Sequence, residues 1–234
     1  MTVWLATGNI HKKKELKEIL SAAEGLELKI PSEEGIAFDP EETGNSFLEN
    51  AFIKAVELYR LLGNGQPIIA DDSGICVDAL NGRPGIYSAR YTGVTPDSLS
   101  GAISKDLSQR HGGTEEDTKF ETMLSDSERN ARLLAELGDN PRRSARFVCA
   151  MVLYCGPDRF FAAQETMEGE LVLNAESARG TGGFGYDPIL YIPEMGLTAA
   201  ELSDEGKNRL SHRGKAGRVI GRILLELDQN VREH

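Results

Sequence analysis

Apolar residues along the chain recur at two spacings, and the switches between them mark out the elements. Val3 to Ala6 is a short apolar run that predicts a buried strand. Thr7-Gly8-Asn9 predicts a turn, and Leu16, Ile19 and Leu20 share one face of a helix expected from Lys12 to about Ala23. A second strand is expected over Leu26 to Ile30. After the acidic turn Glu41-Glu42-Thr43-Gly44, Ser46 and Glu49 have the spacing of a capping box. Phe47, Ala51, Ala55, Leu58 and Leu62 then hold a helical period up to Gly63-Asn64-Gly65. Pro67 to Ala70 reads as a central strand that delivers Asp71-Asp72-Ser73-Gly74 into a loop, with extended chain on to Val77 and a turn at Pro84-Gly85.

The second half is more polar at first. Residues 92–143 carry helical patches near Asp97 to Leu107 and Ser127 to Leu137, around a centre at Gly112 to Thr118 that reads as a mobile loop. Ala145 to Tyr154 and Arg159 to Gln164 flank a Cys-Gly-Pro-Asp turn and predict an antiparallel hairpin, with a further strand at Glu170 to Leu173. Gly180 to Pro188 is rich in glycine and breaks regularity. A helical stretch is expected from Thr198, interrupted or restarted at Ser211-His212-Arg213-Gly214, and an amphipathic helix over Val219 to Leu227.

Composition narrows the function classes. With 234 residues and 40% hydrophobic content, the chain can bury a sizeable core in one large domain or two closely packed lobes. A formal charge of −11 argues against a protein that tracks nucleic acid, because counterion release needs a basic face. It leaves room for a small polyanion, which needs only a local cluster of donors. The 3 cysteines, Cys76, Cys149 and Cys155, make no CxxC pair, so neither a disulfide framework nor a zinc site is expected. The start lacks a basic, apolar leader, and no run reaches about 18 apolar residues, so the expectation is a cytoplasmic protein with no membrane partner.

Four features carry chemistry, each with a bland alternative. Adjacent Asp71 and Asp72 repel one another unless a cation compensates, and Mg²⁺, which takes hard oxygen ligands, suits them together with Glu41-Glu42. A solvated acidic turn would read the same way. Thr7-Gly8-Asn9 with Lys12 in the next turn has the parts of a phosphate loop, or of a plain strand-to-helix connection. It lacks the GxxxxGK[ST] spacing of a P-loop. The segment around Phe184, Gly185, Tyr186 and Asp187 could wrap a flat ring and stack an aromatic face on it, or be a glycine-rich turn with core aromatics. Lys207, His212 and Arg213 could form an anion site, or a structural cluster at a helix boundary.

In order along the chain, ATGNIHKKKEL, EETGNSFLENAFIKA, ADDSGICVDALNGRPGIYSARY, ARFVCA, GTGGFGYDPIL and TAAELSDEGKNRLSHRGKA closely resemble the inosine triphosphate pyrophosphatase family, the bacterial dITP/XTP pyrophosphatases. The resemblance implies an α/β fold with an elongated mixed β-sheet, flanking helices and two lobes around a central nucleotide-binding cleft, assembled as a homodimer. It implies hydrolysis of deaminated purine nucleotides (ITP, dITP, XTP) to the monophosphate and pyrophosphate. The alternatives are a related pyrophosphatase for other modified nucleotides and a nucleotide-binding module without turnover.

Thr7, Gly8, Asn9 and Lys12 match the family's phosphate loop, Glu41 and Asp72 its Mg²⁺ ligands, and Asp72 its proton acceptor, with Ser73 contacting substrate. Phe184, Gly185, Tyr186 and Asp187 match its base loop, and Lys207, His212 and Arg213 its other nucleotide contacts. Lys54 is expected to join Lys12 in offsetting charge on departing pyrophosphate. Two departures stand out: Ile10-His11 inside the first loop, and a polar insertion within 92–143 of what is otherwise one domain spanning 1–234.

Overall fold

The computed structural model describes residues 1–20, 25–92 and 124–232. Their strands are β1 (Thr2–Leu5), β2 (Glu27–Lys29), β3 (Ile68–Val77), β4 (Ser144–Tyr154), β5 (Phe160–Leu171), β6 (Leu190–Ile192) and β7 (Leu197–Thr198). They form one mixed sheet in the order β2-β1-β3-β4-β5-β6-β7. β1 runs parallel to β2 and β3, and every later pairing is antiparallel. The helices are α1 (Ile10–Ile19), α2 (Phe47–Leu62), α3 (Asp126–Leu137), α4 (Asp204–Leu210) and α5 (His212–Arg232). This is the expected α/β class, a mixed sheet with flanking helices.

Local chemistry sets the element ends. Asn9 caps α1, its side chain accepting from the amides of His11 and Lys12, so the helix starts at Ile10, two residues before the expected Lys12. Its expected end near Ala23 falls outside the described residues. Ser46 caps α2 by accepting from Glu49 N–H, but the Glu49 carboxylate turns to Asn45 N–H, so the reciprocal half of the expected capping box is not made. Gly63 closes α2 at φ 59°, a conformation glycine adopts without a Cβ penalty. The expected strand at Glu170 is the end of β5, and the helix expected from Thr198 begins only at Asp204, after β7 and a short 3₁₀ turn. α5 starts at His212, ahead of the expected Val219. The patches expected at Asp97 to Leu107 and Gly112 to Thr118 lie outside the described residues.

The main correction concerns Asp71 to Gly74. They are not a loop: β3 continues through them, Asp71 pairing with Met151, Asp72 with Ala150, Ser73 with Cys149 and Gly74 with Val148. The long partner β4 satisfies their backbone, and the strand's two-residue period sends successive carboxylates to opposite faces. Asp71 follows Val3, Leu5 and Ile69 to the face covered by α1 and α5. Asp72 follows Trp4, Ile68 and Ala70 to the face covered by α2.

These two apolar clusters sandwich one half of the sheet. A third, built from Ile75, Val77, Leu133, Leu134, Phe147, Met167 and Ile189, fills the far ends of β3, β4 and β5 under α3. The long strands thus carry two lobes.

A chain of buried ion pairs ties α1, α4 and α5 to β3. Lys12 Nζ lies 3.0 Å from Asp71, and Arg213 Nε 3.2 Å from the same carboxylate oxygen. Arg213 reaches Glu15 at 2.5 Å, Glu15 reaches Lys207 at 3.0 Å, and Lys207 reaches Asp187 at 2.8 Å. Burial alone would raise the Glu15 pKa, but Arg213 and Lys207 outweigh it and hold the carboxyl below its ordinary value.

Glu15→Gln should therefore destabilise the protein by roughly 3 kcal/mol, the low end of the cost of breaking a buried pair. A carboxylate with a depressed folded pKa stabilises above its unfolded value of about 4.3 and loses that contribution as pH falls through the folded value. Urea unfolding across a pH series should show the gap between wild type and variant narrowing below about pH 4. Gly74→Ala should cost about 1–3 kcal/mol, because an added Cβ would lie 2.3 Å from Ser88 Oγ and 2.4 Å from the Gly85 carbonyl. A shifted denaturation midpoint with an unchanged slope reads it.

Candidate active site

Between the lobes is a cleft of about 490 Å³. Thr7, Gly8, Asn9, Lys12, Lys54, Asp72, Ser73, Phe184, Gly185, Tyr186, Asp187, Lys207, His212 and Arg213 all line it. Glu41 does not. It is exposed and lies in a neighbouring depression with Asp39, Thr43 and Arg90, whereas Glu42, the next residue, faces the cleft.

The acidic end is built by β3 and α2. Asp72 is 7% exposed, one oxygen accepting from Asn50 Nδ2 at 3.1 Å and the other lying 3.4 Å from Lys54 Nζ. Lys54 also contacts Glu42 at 2.9 Å, and Arg90 approaches Glu42 from outside at 3.6 Å. Asn50 and Lys54 stand one turn apart on α2, so one helix face supplies both partners of Asp72. Burial raises the Asp72 pKa, and this outweighs the opposing pull of Lys54 and Lys12. Lys54 is raised despite burial, because Asp72, Asp71 and Glu42 favour its charged form. On the opposite face of β3, burial of Asp71 is outweighed by Lys12, Arg213 and Lys54, which keep it ionised.

The strand-to-helix turn stands alongside. Thr7 Oγ accepts from Asn9 N–H at 3.0 Å, which tightens the turn, and an added Cβ at Gly8 would meet no atom within 4 Å. Space therefore remains over the turn for a ligand group.

The opposite end is aromatic. The Phe184 ring stacks with His11 at 5.5 Å between centroids, and Lys207 and Arg213 lie over it at 5.1 Å and 5.6 Å. His212 stacks on Phe147 at 4.9 Å and is 5% exposed. Its Nδ1 has no partner among the described residues. Burial first, then Arg213 and Lys207, push its pKa well down, so the ring is neutral at physiological pH. Tyr186 donates to the Ser88 carbonyl at 2.8 Å, Asp187 accepts from Phe184 N–H at 2.8 Å, and Arg213 donates to Ser73 Oγ at 2.8 Å. Three of the loop's amides are already engaged, since Gly185 N–H donates to Asp126 at 2.6 Å and Asp187 N–H to the Phe184 carbonyl at 3.3 Å.

Sequence reading missed Asn50, Glu15, Asp126 and Arg129 as parts of this region. A signal existed for the first two. Asn50 is a polar residue on the otherwise apolar face of α2, and Glu15 sits one turn after Lys12 on α1. Asp126 and Arg129 pair with each other at i,i+3 spacing on α3, but nothing local marked their place beside the cleft, since Asp126 meets Gly185 from 59 positions away.

A model of the Ham1 family matches residues 3–221. The dITP/XTP pyrophosphatase of Treponema denticola is 42% identical over 224 residues, covering 96% of this chain and 98% of that one. That of Geobacillus kaustophilus is 40% identical over 231 residues, covering 98% and 93%. Among solved structures, a HAM1 protein from Coxiella burnetii superposes with a TM-score of 0.75 at 33% identity, covering 97% of this chain and 99% of that one. The Staphylococcus aureus Ham1 protein gives 0.72 at 32%, covering 96% and 98%. With this likeness extending through both lobes and both ends of the cleft, the chain belongs to the Ham1 family.

Proposed function

We propose that this protein is a nucleoside triphosphate pyrophosphatase that hydrolyses deaminated purine nucleotides, ITP, dITP and XTP, to the monophosphate and pyrophosphate. The observation that carries the reading is the polarity of one cleft, with a carboxylate-lysine cluster at one end and an aromatic end with a neutral buried histidine at the other. The dITP/XTP pyrophosphatase relatives support the same activity.

The acidic end suits Mg²⁺. Asp72 and Glu42 are hard oxygen donors on the cleft wall, each with a Lys54 contact, and two carboxylates facing a space open to a polyphosphate are what such an ion needs from a protein. That is the habit of Mg²⁺, which takes one or two carboxylates and completes its shell with phosphates and water. Asp72 is the anchor in this reading, and the Glu41-Glu42 turn the source of a second ligand. Bound there with the polyphosphate, the ion would neutralise phosphate charge and fix its geometry.

Asp72 orients and deprotonates the water that attacks the α-phosphorus. Lys54 and Lys12 offset charge on the departing pyrophosphate, and the Thr7-Gly8-Asn9 turn seats its oxygens. Phe184 provides the stacking face for the base. With the Phe184 and Gly185 amides engaged, recognition of the purine 6-position falls to His212 and its neighbours Arg213 and Lys207. A buried group that pairs with a carbonyl is left unpaired when adenine presents an amine. A cytoplasmic homodimer that does not bind nucleic acid goes with this reading, as does a single domain with a polar insertion within 92–143.

Pyrophosphate release measured in parallel for ITP, dITP, XTP, GTP and ATP should favour the first three and stop with chelator. Equal rates for ATP and ITP would overturn the specificity. Asp72→Asn should lower kcat by about 10²–10⁴ at saturating Mg²⁺, and wild-type turnover in that variant would remove Asp72 from the chemistry.

A further inference from the structure

Behind the aromatic end, α3 grips a single residue of the glycine-rich loop by both of its backbone groups. Gly185 N–H donates to Asp126 Oδ2 at 2.6 Å, and the Gly185 carbonyl accepts from Asn130 Nδ2 at 3.1 Å. Asp126 and Asn130 stand four positions apart, one turn of α3, so both reach the loop from the same face. Asp126 is itself held by Arg129, whose other guanidinium nitrogen donates to the Leu124 carbonyl. Gly185 has φ 63°, and with Phe184 on one side and Tyr186 on the other, its two peptide planes set the pitch of both rings.

A merely structural role fits poorly. Asn130 is 7% exposed, and its Oδ1 has no partner among the described residues, so the amide is buried with its acceptor unmet. Folding alone would tolerate an apolar residue there more cheaply. The one bond the amide makes goes to the loop that carries Phe184.

We propose that Asp126 and Asn130 are positioning residues that clamp Gly185 and thereby set how well the Phe184 to Asp187 loop discriminates between purine bases. The clamp rests on the reading of that loop as the base site, and it acts without touching the reacting phosphates. Asp72 and Lys54 are on β3 and α2, outside the clamp. Loosening the loop makes each binding event order it afresh, so the cost falls on substrate affinity and on selectivity and leaves the chemical step alone.

The test is steady-state pyrophosphate release with ITP and GTP for wild type, Asn130→Leu, the isosteric Asn130→Asp, Asp126→Ala and Asp126→Asn, with thermal unfolding of each. Asn130→Leu, Asn130→Asp and Asp126→Ala should raise KM for ITP by about tenfold, the loss of one well-placed hydrogen bond, with kcat within about twofold. The ratio of kcat/KM for ITP over GTP should fall in all three. Asp126→Asn, which keeps an oxygen to accept from Gly185, should recover most of the wild-type KM. Unchanged KM and selectivity in folded variants would overturn the clamp, as would a fall in kcat alone, or loss of folding in all three disruptive variants. A wild-type protein silent with ITP would instead overturn the underlying assignment of function.

Discussion

Arg213 is 2% exposed and touches Asp71, Glu15 and Ser73 at once, and the site is organised around those contacts. A buried guanidinium is costly to desolvate, and replacing such a group with apolar residues often leaves a protein equally stable. What it supplies here is position. Its planar fork can meet the β3 carboxylate, the α1 glutamate and the Ser73 hydroxyl only in one arrangement of strand and helices. Lys12 and Lys207 extend the constraint in both directions, to the turn after β1 and to Asp187 beneath the aromatic loop. The two ends of the cleft are therefore held in register through one continuous line of charge.

That line explains how adjacent aspartates coexist in a central strand. Sequence reading recognised the repulsion between Asp71 and Asp72 and supplied a cation to relieve it, but placed both in a loop because the apolar run ends at Ala70. The strand resolves the conflict by its pleat. Asp71 turns into the cationic layer under α1 and α5, and Asp72 turns to the cleft against Asn50 and Lys54. The two carboxylates then titrate in opposite directions from their ordinary values, Asp71 downward and Asp72 upward.

The legible parts of the fold were those with local causes: the turn after β1, the period of α2, the hairpin of β4 and β5, and the ordered motifs that bring the cleft together. Glu15 and Asn50 were harder, because a polar residue on a helix face gives its partner away only when the strand beneath is known. The Asp126 and Asn130 contacts with Gly185 were out of reach, since they join segments more than fifty residues apart through backbone atoms that carry no side-chain signature. Glu41 shows the converse. Motif matching singles out a position, while the turn's path decides which of two adjacent glutamates faces the cleft.

Charge balance in the cleft bears on how an acidic protein accepts a polyanion. Lys12, Lys54, Arg129, Lys207 and Arg213 line the wall, but so do Asp39, Glu42, Asp72, Asp126 and Asp187, and Asp71 and Glu15 stand directly behind. Each of those lysines and arginines already contacts one of the cleft carboxylates or one of the pair behind. The protein therefore brings no surplus positive charge to a triphosphate. An entering ligand must either displace carboxylates from their lysines, leaving them unpaired in a partly buried site, or arrive with its own counterion. The second course is the less costly. Charge balance alone therefore favours a ligand that enters already paired with a counterion.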